Sequence, residues 1–402
     1  MKRKICVVIT ARPSYSRVKT LLHAIINHKD LELQLVVAGS ALIKRYGNAI
    51  KVIEDDGFKV DAKVYNVLEV ENETAMAKTT SIAILELSNV FYNLKPDAVL
   101  TIADRYETLG TSIAASYQNI PLIHLQGGEI TGNIDEKVRH ANTKLADIHF
   151  VSSLPSLKRV IRMGEDPNFV FNTGCPSLDL AAKILESPSL NFDPIKKYGG
   201  VGSNLDISNG YIIVMQHPET NEYKNAKKHI IETLEVIREL KIPTLWFWPN
   251  VDAGSDGTSS GIRHFRETYD LKHVHFFKNM IPNDFLRLLY NSKALIGNSS
   301  AGIRECAFLG VNAVNIGKRQ QGRDRGKNVI DTDYDRDMIR EAVIKFMKSE
   351  KPKRDLLYGK GDSGVKIANI LSKIELPYSK ILTYLNSNTI ENISNNSCKR
   401  WI

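Results

Sequence analysis

Short, fully apolar runs alternate with longer segments of helical periodicity along most of the chain. A strand with apolar residues on both faces is typical of a parallel sheet that is covered by helices on each side. The pattern therefore predicts alternating strands and helices in the first half of the chain. The predicted strands are 5–10, 31–39, 97–103, 120–125 and 148–153, and the predicted helices are 16–27, 75–94, 107–118 and 135–145.

The alternation lapses once and then resumes. Residues 187–209 are rich in Pro, Gly, Ser, Asn and Lys, which is typical of a linker. A second series follows, with strands at 211–216, 243–249, 272–277, 293–297 and 312–317 and a helix at 226–240. We therefore expect an α/β fold of two Rossmann-like, doubly wound parallel-sheet domains that face a cleft. The expected boundaries are 1–186, a linker at 187–209, a second domain at 210–376 and a polar, fraying tail at 377–402.

The bulk composition agrees with two soluble domains. The chain has 402 residues, of which 43% are hydrophobic and 25% charged. The formal net charge is +9, but the excess is spread along the chain without a basic run, so a nucleic-acid-binding protein is not favoured. This charge gives weak support for a phosphate-bearing small molecule as ligand.

The cysteines and the N-terminal segment indicate a reducing compartment. Cys6, Cys175, Cys306 and Cys398 lie far apart, so their spacing predicts neither a zinc site nor a disulfide framework. The first residues read as a buried strand rather than a signal peptide, and no apolar run reaches membrane-spanning length. We expect a cytoplasmic protein without a membrane partner.

Ligands of doubly wound sheets bind beyond the carboxyl ends of the strands, so residues at those positions are the candidates. Arg12 and Arg17 follow the first strand beside a predicted helix start, which favours anions. Asp104 and Arg105 follow the strand at 97–103, although an Asp before a helix is commonly only a cap.

The segment 124–136 holds three glycines, a histidine and three carboxylates directly after a strand. Carboxylates gathered at one sheet edge repel one another, which raises a pKa and creates a general acid or base. A turn followed by a helix cap at Asp135 is the structural alternative. Arg139 and His140 lie one turn later and are positioned to pair with these carboxylates.

In the second half of the chain, polar residues likewise follow the predicted strands. His217 lies just past one strand, and Asn250 and Asp252 follow the strand that contains two tryptophans. The segment 297–302 ends a strand and is expected to open a helix, so that its hydroxyls and N–H groups can hold phosphate. Glu305, expected one turn into that helix, suits the two hydroxyls of a ribose.

Seven motifs occur in order and together resemble one family. They are ARPSYSRV, ADRYET, HLQGGEITGNIDEKVRH, QHPET, PNVDAGS, GNSSAGIRE and GKRQQGRDRGKNV. The chain resembles the UDP-N-acetylglucosamine 2-epimerase family, and within it the hydrolysing branch of sialic-acid pathways. The likeness extends over roughly residues 1–370, which makes it specific.

The resemblance implies an architecture and a reaction. It implies the glycosyltransferase-B architecture, no cofactor, no metal, a UDP-linked N-acetyl sugar as partner and a homodimer. Loss of UDP from C1 and of the proton from C2 would give a 2-acetamidoglycal. Water would then add at C1 while C2 is protonated from the other face, which releases N-acetylmannosamine for nonulosonic (sialic) acid biosynthesis.

The resemblance also implies roles for individual residues, with the first domain acting on the sugar and the second binding UDP. The implied catalytic residues are Asp104, Asp135 and His217. The implied substrate contacts are Arg12, Arg17, Arg105, Gln126, Arg139, Asn250, Asp252, Ser299, Ser300, Glu305 and Arg319.

One position departs from the family pattern. Where the family commonly has Glu, this chain has Gln126, and an amide cannot accept a proton at neutral pH. Glu129, three residues later, is the nearest replacement and is added to the catalytic candidates.

Four other functions stay open at this point. The same reaction on UDP-2,4-diacetamido-2,4,6-trideoxyglucose would serve the legionaminic acid pathway. A UDP-sugar glycosyltransferase shares the architecture but needs an acceptor. A non-hydrolysing epimerase would return a UDP-linked sugar, and a basic nucleic-acid-binding protein would bind with a steep salt dependence.

Overall fold

The computed structural model describes residues 1–68, 73–131, 135–249 and 255–384. The chain divides into two compact units. The first unit comprises Met1–Glu129, Ile134–Asp179 and the chain from Tyr358 onward. The second unit comprises Leu180–Leu357 together with Ile130–Asn133.

The first unit holds a parallel sheet that has seven strands among the described residues, in the order β3-β2-β1-β4-β5-β6-β7. Its strands are β1 (Arg3–Ile9), β2 (Leu31–Ala38), β3 (Ala62–Val64), β4 (Ala98–Ile102), β5 (Leu122–Leu125), β6 (Ile148–Val151) and β7 (Val170–Asn172). The α-helices from the start of the chain to residue 186 are α1 (Arg12–Asn27), α2 (Ala49–Asp55), α3 (Glu73–Leu94), α4 (Tyr106–Tyr117), α5 (Asp135–Leu145), α6 (Leu154–Arg162) and α7 (Ser177–Glu186).

The central strand β1 shows why this sequence forms a sheet that is covered on both faces. Successive side chains of a strand point to opposite faces. Ile5, Val7 and Ile9 accordingly belong to one buried cluster, which includes residues of α1. Cys6 and Val8 belong to a second cluster, which includes residues of α3 and α4. The fully apolar strand is therefore buried on both sides.

The second unit repeats the design. Its sheet has seven strands among the described residues, in the order β14-β13-β12-β9-β10-β11-β8, and all neighbours are parallel except the edge pair β8 and β11. The strands are β8 (Val201–Gly202), β9 (Ile212–Met215), β10 (Thr244–Phe247), β11 (Val274–Phe277), β12 (Ala294–Gly297), β13 (Asn312–Ile316) and β14 (Val329–Thr332). The helices are α8 (Pro194–Tyr198), α9 (Ala226–Leu240), α10 (Ser255–Thr268), α11 (Pro282–Asn291), α12 (Glu305–Leu309) and α13 (Arg336–Lys348), and the last helix of the chain is α14 (Ser363–Lys373).

Both strand orders reverse direction at one point. In the first sheet the reversal lies between β1 and β4, and in the second it lies between β9 and β12. Helices depart to opposite faces at such a point, which leaves a crevice beyond the carboxyl ends of the strands. The expected fold class, two Rossmann-like doubly wound units, is confirmed.

The end of the chain differs from the expected domain boundaries. Residues from Tyr358 belong to the first unit, although the sequence placed 210–376 in the second domain. The reason is that α14 packs on α1, where its Ile367 and Leu371 share a buried cluster with Leu21 and Leu22. Asp179 anchors the start of α14, since its carboxylate accepts the N–H groups of Ser363 and Gly364 at 2.9 and 2.7 Å.

The expected linker and tail also differ from the structure. The segment 187–209 belongs to the second unit and contains α8 and the edge strand β8, which pairs with β11. Part of the tail is ordered against the first unit, because the Lys380 ammonium donates to the carbonyls of Thr143 and Ala146 and to the Glu165 carboxylate. Residues 385–402 lie outside the described part of the chain. No helix in the described ranges combines the length and apolar character needed to cross a membrane.

Glu165 forms the centre of a buried charge cluster in the first unit. Its carboxylate contacts the Lys144 ammonium at 2.6 Å, His149 Nε2 at 3.1 Å and the Lys380 ammonium. Burial alone would raise the pKa of Glu165, but the hydrogen bonds from His149, Lys144 and Lys380 outweigh burial and lower it to about 2. The cluster therefore stabilises the fold only while Glu165 is ionised.

This shift predicts a defined pH dependence. Because the pKa of Glu165 is lower in the folded protein than its ordinary value of 4.5, the stabilisation is complete above about pH 4.5 and is lost as the pH falls towards 2. We expect the difference in free energy of unfolding between the wild type and Glu165→Gln to shrink by about 3 kcal/mol as the pH falls from 4.5 towards 2. Urea unfolding at a series of pH values measures it. Glu32→Gln, at an exposed position, is the control, and a difference independent of pH would contradict the prediction.

Candidate active site

Arg139 joins the polar residues at the carboxyl edge of the first sheet. It projects from α5, and its side chain is only 1% exposed. The guanidinium donates to the Asp104 carboxylate, which follows β4, and to the backbone carbonyl oxygen of Glu129, which follows β5, at 2.9 Å. It also contacts the Glu136 carboxylate on its own helix at 2.9 Å. The structure therefore brings Asp104, Glu129 and Arg139 together, as expected.

The surrounding carboxylates compensate the buried charge of Arg139. Burial alone would lower the pKa of Arg139, but Asp104, Glu129 and Glu136 outweigh burial and raise it. A buried guanidinium without such carboxylates would carry an uncompensated charge, which is strongly destabilising. Arg139 consequently stays cationic and holds the Asp104 carboxylate by an ion pair.

Two further expected catalytic residues lie beside this group. Asp135 is the first residue of α5, and it lies four positions before Arg139, so both side chains project from the same face of the helix. The Glu129 side chain is buried, and its Oε1 accepts a hydrogen bond of 2.9 Å from the Ser152 hydroxyl just after β6. The edge thus carries carboxylates from the ends of two strands and from one helix start.

Gln126 does not take part in proton transfer. It directly follows β5 and has a left-handed backbone (φ 67°), and the residue is 1% exposed. Its Nε2 donates to the Cys175 sulfur at 2.9 Å. Since an amide does not ionise near neutral pH, Gln126 cannot act as the acid or the base at this edge. Its expected role in substrate binding stays a prediction.

Three arginines of the first unit that were expected to contact the substrate have different surroundings. Arg12 is the first residue of α1, and burial lowers its pKa. It packs against Gly47, where a Cβ atom would lie 3.0 Å from the Arg12 guanidinium. Arg17 is half-buried on the same helix. Arg105 contacts the buried carboxylate of Glu107 at 3.2 Å through both Nε and Nη2.

In the second unit, Asn298 links two strand ends at the point where the strand order reverses. Its Oδ1 accepts the backbone N–H of His217 at 2.7 Å, and its Nδ2 donates to the His217 carbonyl at 2.8 Å. His217 follows β9 and Asn298 follows β12, so this pair of hydrogen bonds ties the two strand ends together. The side chains of Arg319 and Gln320 donate to the Asn298 carbonyl at 3.1 and 3.0 Å.

Glu219 organises the neighbouring loop. Its Oε1 accepts the backbone N–H groups of Lys318 and Arg319 at 2.6 and 3.2 Å and the Tyr334 hydroxyl at 2.6 Å. Burial, together with the contact to Glu219, raises the pKa of Tyr334, so this hydroxyl stays protonated. A cavity of about 310 Å³ opens beside Glu219, Lys318 and Tyr334.

The expected phosphate-binding helix differs from the structure. The residues after β12 form a 3-10 turn, Ser300–Gly302, followed by the five-residue helix α12. Glu305 is therefore the first residue of a helix and does not lie one turn into it. Ser299 precedes the turn, and its Oγ accepts the Ala301 N–H at 3.3 Å. The hydroxyls expected to hold phosphate are thus presented by a turn and not by a long helix.

Some expected residues are untested and some were missed. Asn250 and Asp252 lie outside the described residues. Sequence reasoning missed the structural roles of Asn298, Glu219 and Tyr334. Asn298 and Glu219 lie inside recognised motifs directly after strands, so their position offered a signal. Tyr334 offered none, because its contact with Glu219 joins residues 115 positions apart.

Comparisons with known proteins agree on one family. A family model described as UDP-N-acetylglucosamine 2-epimerase matches residues 23–372. A hydrolysing UDP-N,N'-diacetylbacillosamine 2-epimerase of Legionella pneumophila is 32% identical, over 96% of this chain and 100% of the relative. A hydrolysing GDP/UDP-N,N'-diacetylbacillosamine 2-epimerase of Campylobacter jejuni is 35% identical, over 83% of this chain and 85% of the relative.

A third relative and a solved structure extend the agreement. The polysialic acid biosynthesis protein P7 of Escherichia coli is 34% identical over 85% of each chain. The crystal structure of a Neisseria meningitidis UDP-GlcNAc 2-epimerase bound to UDP-GlcNAc is similar in fold, with a TM-score of 0.78 at 18% identity, over 92% of this chain and 100% of that chain. The hydrolysing relatives agree with the resemblance to the hydrolysing branch that the motifs carry. The chain belongs to the UDP-N-acetylglucosamine 2-epimerase family.

Proposed function

We propose that this protein is a hydrolysing 2-epimerase that converts a UDP-linked 2-acetamido sugar into UDP and the free 2-epimeric sugar. The observation that carries the proposal is the buried Arg139, which holds Asp104 beside the Glu129 backbone at the carboxyl edge of the first sheet. Proton transfer at C2 needs carboxylates that lie close together and whose protonation states are set by their surroundings. This arrangement supplies them.

The chemistry has two halves. In the first, the bond from C1 to the diphosphate breaks and the C2 proton leaves, which gives a 2-acetamidoglycal. In the second, water adds at C1 and a proton returns to C2 on the opposite face. Asp104 and Asp135 act as the pair that accepts and returns the proton, and Glu129 supports them. The Arg139 guanidinium holds the Asp104 carboxylate at this edge, where it accepts the C2 proton.

The departing diphosphate must be stabilised, since the C2 hydrogen of such a sugar is not activated by a carbonyl group. Positive charge and fixed hydrogen-bond donors perform that task in other enzymes. We assign it to Arg12, Arg17 and Arg105 of the first unit and to His217 and Arg319 of the second. The hydroxyls of Ser299 and Ser300 bind the phosphates, and Glu305 binds the ribose.

Two substrates fit the same reaction. UDP-N-acetylglucosamine would yield N-acetylmannosamine, which the likeness to the polysialic acid protein supports. The corresponding 2,4-diacetamido-2,4,6-trideoxy sugar is the second candidate, and it is favoured by the names of the relatives that are 32% and 35% identical. Asn250 and Asp252 remain candidate contacts of the substrate, and a homodimer remains the expected assembly.

The proposed reaction predicts a specific isotopic product. In D2O, without acceptor or added metal, the purified protein is expected to release UDP together with a free sugar that carries deuterium at C2, because the returning proton comes from solvent. NMR of each UDP-sugar incubated with the protein measures this and shows which substrate is used. A UDP-linked epimer would instead indicate a non-hydrolysing enzyme. Absence of free sugar until an acceptor is added would indicate a glycosyltransferase.

The proposed carboxylates predict a separation of turnover from binding. Asp104→Asn and Asp135→Asn are each expected to lower kcat by at least about 100-fold, since general acid–base catalysis contributes about 10² to 10⁴. The affinity for UDP, measured by calorimetry, is expected to stay near that of the wild type. Asp55→Asn makes the same change at an exposed position and is the control. Rates near the wild type in either variant would remove that residue from the mechanism.

The proposed nucleotide contacts predict weaker binding of UDP. Ser300→Ala and Glu305→Ala are each expected to weaken the affinity by about 1 kcal/mol, which is near fivefold, because each removes one hydrogen-bonding group from the ligand. Calorimetric titration with UDP measures the change, and Glu350→Ala at an exposed position is the control. Unchanged affinity would show that UDP does not contact the turn after β12.

A further inference from the structure

The backbone just before Asp104 has an unusual conformation. Ala103 has a left-handed φ of 62°, which residues with a Cβ atom adopt at a cost. The direction in which Asp104 leaves the strand depends on this residue, because Ala103 joins the end of β4 to Asp104. The conformation persists only if neighbouring groups hold it.

His124 contacts the peptide group of Ala103. Its Nε2 lies 2.9 Å from the Ala103 carbonyl oxygen. A carbonyl oxygen only accepts, so Nε2 carries the hydrogen and donates it. Nδ1 lies 3.1 Å from the Thr143 hydroxyl on α5. Both ring nitrogens are thus engaged, and the side chain is fully buried.

The protonation state of His124 excludes a role in proton transfer near neutral pH. Burial lowers the pKa of His124 to about 3, so the ring is neutral under physiological conditions. A general base near neutral pH needs a pKa close to that pH. A buried neutral ring whose two nitrogens are occupied serves instead as a fixed hydrogen-bond donor.

Asn142 supports the same carbonyl from α5. Its Nδ2 lies 3.4 Å from the Ala103 oxygen and 2.8 Å from the Thr108 hydroxyl, and its Oδ1 accepts the Ser112 hydroxyl at 2.8 Å. Asn142 is fully buried. The helix that carries Asp135 and Arg139 is therefore tied to the peptide that precedes Asp104.

Gly127 makes room for the contact between His124 and Thr143. A Cβ atom at Gly127 would lie 2.9 Å from His124 Nδ1 and 3.0 Å from the Thr143 hydroxyl. Such distances are too short for a side chain, so glycine permits His124 to reach between the strand end and α5. The glycine of this motif thereby serves the histidine contact.

We propose that His124 is a positioning residue for the reaction, which holds the Ala103 carbonyl so that Asp104 stays on Arg139 at the carboxyl edge of the first sheet. The proposal rests on the proposed function, since it takes Asp104 as catalytic. It assigns to His124 no contact with substrate. The geometry that carries it is the donor at Nε2, the left-handed Ala103 and the second support from Asn142.

Two substitutions of His124 separate positioning from simple loss of a buried ring. The amide of Gln reaches the place of Nε2 and retains a donor for the Ala103 carbonyl, whereas the shorter Asn does not. We expect His124→Asn to lower kcat by about 30-fold or more with KM and UDP affinity within about twofold, and His124→Gln to recover at least about a tenth of the wild-type kcat. Equal kcat values in the two variants would overturn the proposal.

The matched control is His149→Asn. His149 is paired with His124 in the register of β5 and β6, it is equally buried, and it bonds to Glu165 instead of Ala103. The His149→Asn substitution is expected to lower the melting temperature as His124→Asn does, but to leave kcat within about threefold of the wild-type value. A loss of kcat in His149→Asn equal to that in His124→Asn would show that only the fold was perturbed, and it would overturn the proposal.

A second change tests the backbone directly. Glycine adopts a left-handed φ at little cost, so Ala103→Gly in the His124→Asn background is expected to restore kcat at least fivefold. Failure to restore it would count against the proposed role of Ala103.

The crystal structure of His124→Asn provides a readout that needs no turnover. We expect the Ala103 peptide to leave the left-handed region and Asp104 to separate from Arg139. An Ala103 φ still near 62° with Asp104 on Arg139 would overturn the proposal, whatever the substrate is. If the wild type releases UDP from neither UDP-sugar, the proposed function fails, and this structure still decides the positioning.

Discussion

The ion pair between Arg139 and Asp104 is the interaction on which the first unit's polar edge depends. A guanidinium this deeply buried requires compensating carboxylates, and Asp104 and Glu136 provide them, with a hydrogen bond to the Glu129 carbonyl in addition. Because these partners come from the ends of two strands and from α5, one charge fixes three segments. Placement of the carboxylates is thereby coupled to the stability of the fold.

In the second unit an amide side chain, and not an ion pair, joins the two strand ends. Where its strand order reverses, the amide of Asn298 bonds to both the N–H and the carbonyl of His217. An amide offers a donor and an acceptor at once, so it can bridge two strand ends and leave their net charge unchanged. The two sheets share the strand order around the reversal point, but an ion pair joins the strand ends in the first sheet and an amide joins them in the second.

The alternation of apolar runs and helical segments was enough to predict the two doubly wound sheets and their ten central strands, because burial on two faces marks such strands locally. The short strands β3, β7, β8 and β14, which lie at the sheet edges, were not predicted. The rule that ligands bind beyond strand ends also selected Asp104 and the segment that contains Glu129, and Arg139 was expected as a partner of these carboxylates. The destination of α14 was not predictable in this way. Its apolar face fits any complementary surface, and the choice of α1 depends on Asp179, which lies 184 residues before Ser363.

The same limit explains the errors at the second site. The segment after β12 contains small residues that suit both a helix and a tight turn, and the structure has the 3-10 turn Ser300–Gly302 before the short helix α12. Local propensity does not separate these outcomes, since the Arg319 and Gln320 side chains that bind the Asn298 carbonyl come from the loop after β13. The hydrogen bond from His124 to Ala103 likewise depends on a backbone conformation that no residue pattern announces.

The return of α14 to the first unit has a consequence for the order of events during synthesis. The part of α1 that packs on α14 stays uncovered until about residue 373 has left the ribosome, whereas the second unit has its whole chain once residue 357 has done so. The unit that begins last can therefore complete its core first. All strands of the first sheet precede α14 in the chain, so the first unit waits with this part of α1 exposed, and such transiently exposed apolar surface favours aggregation.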